Sequence, residues 1–363
     1  MLPTQQNNTR LATVNLASRR TLRLALGTAL SLWCSQAAPW TLSYLAPVIT
    51  LFVLALPQSA PGIGGGIKLF LALVLSVWGG LALLPLLLLT PTAGAIALSL
   101  LLFGVFYATA RGAPAALSSL VTIGLALTVA VGSVSVDLVL LVAEGVSISA
   151  AVGVIFVWIA FALIPDTTPG DPPTEEPAPP SSSAAPLRSA LRSLAIVLPV
   201  TLWLLVSSAS AGYVGVMIKV ASMGQQASMD ETRGVARSLI LATLTGGLAA
   251  TLAWQLLQIW PALLPYTLII GLAGLLFGAR IFHGRGLAQD GATWSYAYLT
   301  MLIILAPAVL DGLGGSPAGA KFFDRLWMFA GATAYAIIAV GIFDAFWPAR
   351  RGSRDWGRSK LPE

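Results

Sequence analysis

The sequence predicts an all-α, polytopic membrane protein of about 12 transmembrane helices in two parallel six-helix repeats. Three observations carry that expectation. The first is composition: 57% of the residues are hydrophobic and only 9% are charged, against about 25% charged in a soluble domain. The second is spacing, because apolar runs long enough to cross a bilayer flank one long polar stretch on both sides. The third is an internal correspondence. Arg23 and Arg192, Tyr44 and Tyr213, and Arg111 and Arg280 are each 169 residues apart, and Gly79-Gly80 and Gly246-Gly247 are 167 apart. Six helices per half preserve orientation, so such repeats are parallel and related by an axis along the membrane normal.

Taken in order, residues 1–20 form a polar N-terminal segment and residues 21–165 the first repeat. Its helices are expected at Thr21–Ala38, Leu42–Leu56, Ile67–Leu84, Thr92–Ala110, Ala115–Val134 and Leu138–Ile164. The basic cluster Arg19, Arg20 and Arg23 before the run Leu24–Trp33 resembles an export signal, but Pro39 follows the Ala37-Ala38 pair where cleavage would fall. It reads as an uncleaved first helix. Residues 166–187 are rich in Pro, Ser and Glu and cannot bury enough apolar surface to offset the entropy of ordering, so they read as a disordered linker. The second repeat covers residues 188–348, with helices at Leu191–Ser208, Ala211–Val220, Val235–Leu256, Leu263–Ala279, Ala292–Leu310 and Phe322–Trp347, and residues 349–363 form a basic tail.

Orientation follows from the basic residues. With the N-terminus cytoplasmic, only Lys321 and Arg325 of the 20 Lys and Arg fall outside, as the positive-inside rule requires. Both termini, the linker and the tail are then cytoplasmic, in a cell inner membrane. The net charge of +6 sits in short loops and at the two ends, which favours an orientation signal over nucleic-acid binding. Cys34 and His283 are each alone of their type, so neither a disulfide nor a Cys- or His-based metal cluster is expected. There is no P-loop and no nucleophile constellation. An enzyme is not expected, nor a cofactor.

The second segment of each half is the unusual one. Leu42–Leu56 is short and carries Pro47; Ala211–Val220 is shorter, carries Gly212 and Gly215, and ends around Lys219. Short or interrupted segments at matching places in two repeats point to a transporter binding site, since freed backbone groups are tolerated only where they line a cavity or are buried in protein. The alternative is a pair of tilted helices with no ligand. A substrate path is therefore expected along Arg23, Tyr44, Pro47, Arg111, Tyr213, Lys219, Arg237 and Arg280, the cations concentrating anions at the inner mouth. Topology alone would also demand those arginines, and Lys219 also fits a snorkelling boundary residue.

Glu144 stands seven residues beyond Asp137 in the sixth helix. An ionisable group at that depth is a candidate for proton coupling, unless it faces a water-filled vestibule. Asp344 is expected to pair locally with Arg350. Ser118, Ser119, Thr122 and Thr128, and the group Thr293 to Thr300, either line a path or hydrogen-bond between helices. Trp40, Trp260, Trp327 and Trp347 fit an interfacial belt.

The runs Arg23-Leu24-Ala25-Leu26-Gly27-Thr28-Ala29 and Ala46-Pro47-Val48, the stretch from Arg237 through Thr245-Gly246-Gly247-Leu248-Ala249, and Arg325 through Gly331 to Trp347-Pro348 resemble the fusaric acid resistance (FUSC) superfamily, in a compact branch similar to the aromatic acid exporters. The resemblance implies proton-driven export of small, often aromatic, organic acids and a periplasmic membrane-fusion partner. The chain departs from the larger exporters in joining its halves by a short linker where they carry a sizeable soluble domain. The expected partners are a small organic anion, membrane lipid, the fusion protein and a second copy of the chain. The rival classes are a passive organic-anion channel, whose helix layout is similar to that of the plant malate channels, and a non-transporting membrane partner of the fusion protein.

Overall fold

The computed structural model describes residues 3–38, 40–56, 60–113, 115–132, 135–165, 184–206, 232–283, 290–313 and 318–347. Every regular element among them is an α-helix: α1 (Pro3–Ala37), α2 (Leu45–Leu54), α3 (Ile63–Leu89), α4 (Pro91–Ala110), α5 (Ala115–Gly132), α6 (Val136–Leu163), α7 (Ala184–Val206), α8 (Thr232–Ile259), α9 (Leu263–His283), α10 (Asp290–Leu313) and α11 (Ala318–Phe346). The segment expected at Ala211–Val220, with Tyr213 and Lys219, lies outside the described residues, as do residues 166–183 and the tail.

Six described helices are long and apolar enough to cross a membrane: Ile63–Leu89, Pro91–Ala110, Asp137–Leu163, Ile240–Ile259, Leu263–Phe282 and Gly291–Leu310. Leu45–Leu54, Leu117–Val129 and Ala330–Phe346 are shorter apolar helices. The chain is therefore a helical membrane protein. α4 shows how such helices choose a face. Its buried residues, Gly94, Leu98, Leu102 and Phe106, recur every fourth position, while the equally apolar Ile96, Leu100 and Leu101 are exposed. In lipid the selection is by shape, since tails solvate a leucine as well as a protein interior does.

Two boundaries differ from expectation for local reasons. α1 begins at Pro3 instead of Thr21; residues 4–20 contain neither Pro nor Gly to stop the helix, and Pro3 stands in the first turn, where its missing N–H costs nothing. α7 begins at Ala184, inside the expected linker, and takes Pro186 into its first turn on the same ground.

The bundle pairs α1 with α9, α4 with α7, α3 with α5, α8 with α10, and α2 with both α1 and α6. Small residues permit the closest of these approaches. A Cβ on Gly274 of α9 would collide with the Cα of Ala25 on α1. Buried hydroxyls are satisfied within helices, as where Thr122 donates to the Ser118 carbonyl, Thr128 to Gly124 and Thr300 to Tyr296, each at 2.8 Å, and between helices, as where Tyr298 of α10 donates to the Ile270 carbonyl of α9 at 2.8 Å. Between a polar path and helix packing, these groups of α5 and α10 belong to packing.

Candidate functional site

After α1 ends at Ala37 the chain turns through Trp40–Tyr44 and enters α2. Leu42 has φ 60°, the left-handed region, which costs a non-glycine residue about 1–2 kcal/mol. The turn is held by Ser43 N–H donating to the Trp40 carbonyl at 3.0 Å and Leu45 N–H to the Leu42 carbonyl at 2.9 Å. Its main anchor is on α6. The Trp40 indole N–H donates to Ser149 Oγ at 2.9 Å, and Ser149 Oγ–H donates to the Leu42 carbonyl at 3.1 Å. A Cβ on Gly145, one helical turn earlier, would run into the Thr41 carbonyl oxygen, so the turn lies directly on the α6 backbone. Gln36 of α1 reaches Ser43 Oγ from the other side at a long 3.5 Å.

Ser149 is at the middle of α6, which makes this non-helical backbone lodged against the centre of a spanning helix. Such backbone survives at membrane depth only where protein encloses it or water reaches it. Here the turn is partly covered: Ser43 and Tyr44 are buried, Trp40 and Leu42 are half-buried, and Thr41 is exposed. α2 then has ten residues, about 15 Å by helical rise, half of a hydrocarbon core of about 30 Å. Nine of the ten are buried. Pro47 falls in the first turn, where helix N–H groups lack intrahelical partners anyway. Thr50 Oγ1 lies 2.9 Å from the Ala46 carbonyl, 3.2 Å from that of Gly153 and 3.0 Å from Ser31 Oγ, tying α2 to α6 and α1.

On its far flank α2 borders a cavity of about 30 Å³ lined by Leu45, Val48, Phe52, Leu73, Leu127 and Leu299. It offers water no polar partner and stays dry.

The expected path residues do not form one cluster. Tyr44 and Pro47 are buried in the turn and α2. Arg23 is 2% exposed, with its guanidinium 3.9 Å from the centroid of the Phe161 ring, a geometry in which ring and cation attract. Arg111 is exposed at the end of α4, 5.8 Å from the Tyr107 centroid, and Arg280 is exposed on α9, 5.1 Å from that of Trp294. Arg237 is in the second turn of α8. Glu144 is exposed on α6, on the side of Leu140, Leu141, Ile148 and Ile155, which are exposed as well. It faces away from the bundle.

Asp344 bridges Arg188 at 2.6 Å and Arg192 at 2.9 Å, both on α7, and Arg192 is 3% exposed; Arg350, its expected partner, lies outside the described residues. Trp40 is not a belt residue, since its indole is committed to Ser149, whereas Trp260, Trp327 and Trp347 are exposed as a belt requires. The anchor Gly145, Ser149 and Gly153 passed unread, although its spacing of small residues every fourth position was a visible sign of close helix approach.

Among the described residues no group of three or more His, Cys, Asp or Glu stands close enough to hold a metal ion. Residues 20–160 match the model of a family described as "Protein of unknown function (DUF2955)"; that stretch contains the turn, α2 and most of α6. No curated protein and no solved structure matches the chain.

Proposed function

We infer that the chain is an inner-membrane secondary transporter that exports small organic acids, aromatic carboxylic acids foremost, using the proton gradient. One observation carries this reading: a left-handed turn packed against the middle of α6 that leads into a buried, half-length helix. Discontinuous helices at mid-membrane are how many secondary transporters present backbone groups and helix ends to a substrate. A protein needing only structural spans has no use for a turn that costs free energy at that depth.

Helix pairing supports the duplicated architecture of about 12 helices. α1 packs on α9, the helices of Arg23 and Arg280, and α7 packs on α4, those of Arg192 and Arg111; exchanging the halves turns one pair into the other. The pairs α3 with α5 and α8 with α10 exchange likewise, with Gly80 against Thr128 and Gly246 against Thr300. Buried Arg23 and Arg192 then occupy equivalent places in the two halves, Arg192 being paired with Asp344. The resemblance to the FUSC superfamily supports an organic-anion cargo, cytoplasmic termini and a periplasmic fusion partner. Glu144 is the proposed proton-carrying group, reached from the outer side.

A passive anion channel is the rival. An open pore needs continuous water, and the dry flank of α2 favours a carrier that opens transiently. A deletion strain tested against a panel of aromatic acids checks the proposal. Sensitivity restored by the intact gene is expected; growth identical to the parent on every acid contradicts it.

A further inference from the structure

α7 carries a proline in its interior, Pro199, and continues beyond it to Val206. Proline has no N–H and its ring crowds the carbonyl four residues earlier, so the Ala195 carbonyl loses its intrahelical donor and the helix is weak at this point. In a bilayer a carbonyl freed in this way needs a replacement donor from a neighbour. Tyr335 of α11 supplies it: its hydroxyl donates to the Ala195 carbonyl at 3.3 Å.

Two further observations make this repair a mechanical feature. The first is local. Thr201, two residues beyond the proline, is buried and donates to the Val197 carbonyl at 2.8 Å, and a threonine that bonds back to its own helix in this way tends to bend it. The second is where α7 is held. Four polar contacts stitch it to α11: the Tyr335 bond, Arg188 Nε donating to the Trp347 carbonyl at 2.9 Å, and Asp344 with Arg188 at 2.6 Å and with Arg192 at 2.9 Å. Each engages α7 before Pro199. The helix is thus clamped on one side of its weak point, and residues 200–206, about 10 Å of helix, lie on the other. α1, the counterpart of α7 at the 169-residue offset, has no proline after Pro3 and carries Leu30 where α7 has Pro199. The weak point belongs to one half only.

We propose that α7 is a jointed helix and that Tyr335 is the catch of the joint. With its bond to Ala195 made, residues 200–206 keep one angle to the clamped segment; when the bond opens they swing while the Asp344 clamp holds the rest. A swing of about 20°, enough for a sharp kink, displaces the end of the segment by about 3–4 Å. The joint concerns how the chain moves and is independent of what it carries.

Pulsed EPR distances on the full chain in lipid nanodiscs test this, with Cys34→Ser removing the native thiol. Spin labels go on Trp203→Cys, exposed on α7 beyond the joint, and Leu268→Cys, exposed on α9; Leu187→Cys, exposed on α7 before the joint, replaces Trp203→Cys in the control pair. Tyr335→Phe keeps the ring and removes the donor. It should broaden the Trp203 distribution or add a second distance a few ångströms away, and leave the control pair unchanged. Adding Pro199→Ala returns an N–H to the Ala195 carbonyl and should restore the narrow distribution in the presence of Tyr335→Phe. A Trp203 distribution unchanged by Tyr335→Phe, a control pair that broadens as much, or a distribution still broad after Pro199→Ala overturns the joint. A swinging segment in a chain that transports nothing would keep this inference and remove the exporter reading; transport by a chain whose α7 does not swing would do the reverse.

Discussion

Trp40 and Ser149 are 109 positions apart in the chain, yet the indole N–H of one donates to the hydroxyl of the other at 2.9 Å, and that hydroxyl in turn donates a hydrogen bond to the Leu42 carbonyl at 3.1 Å. The relay fastens a non-helical turn to the middle of α6. Ser149→Ala removes both bonds and should cost about 1–2 kcal/mol, whereas Trp40→Phe removes one and should cost about 0.6 kcal/mol, given typical values for hydrogen bonds between membrane helices. Gly145→Ala drives a methyl into the Thr41 carbonyl and should cost more than either. Thermal unfolding in one detergent ranks the three; a Gly145→Ala variant as stable as the parent contradicts the placement of the turn.

Leu42 pays for its left-handed backbone, and glycine would not. Leu42→Gly should leave stability within about 1 kcal/mol of the parent, the relief of strain offsetting lost packing and added chain entropy. Leu42→Val should lose more, because a β-branched side chain is the worst fit to that conformation. Equal unfolding temperatures for the two variants would count against the strained turn.

Asp344 bridges two arginines of α7, one of them almost fully buried. Asp344→Asn leaves both cations without their carboxylate and should destabilise by about 3–5 kcal/mol, the usual cost of breaking a buried pair from one side. Arg192→Met alone should cost less, since Arg188 still holds the carboxylate. In the double variant Asp344→Asn with Arg192→Met the losses should be less than additive. Strict additivity in the unfolding free energies would mean the groups do not interact.

Glu144 is exposed, so Glu144→Gln should change stability by less than about 0.5 kcal/mol. As the proposed proton carrier it should nonetheless stop uphill transport while sparing exchange of substrate for substrate. Unchanged uphill transport in the variant would remove Glu144 from the coupling step.

What could be read from the sequence was whatever depends on local composition. Hydropathy marked the spans of α3, α4, α6, α9 and α10, because a residue that faces lipid and one that faces the core are both apolar. Pro47 and the brevity of its segment marked α2 as exceptional. The docking of the turn on α6 was hidden because a tryptophan near a helix end has the same appearance whether it meets lipid headgroups or, like Trp40, a serine on a distant helix. Asp344 was assigned the nearest arginine in sequence, when its partners were more than 150 residues away across the bundle. Hydropathy also could not show the start of α1, since a polar helix leaves no apolar trace.

The most direct test of the account is uptake of radiolabelled 4-hydroxybenzoate by proteoliposomes holding the purified chain, with and without an imposed proton gradient. The account predicts accumulation above the outside concentration that vanishes when an uncoupler collapses the gradient. Flux no greater than in protein-free vesicles, or flux indifferent to the gradient, would contradict it.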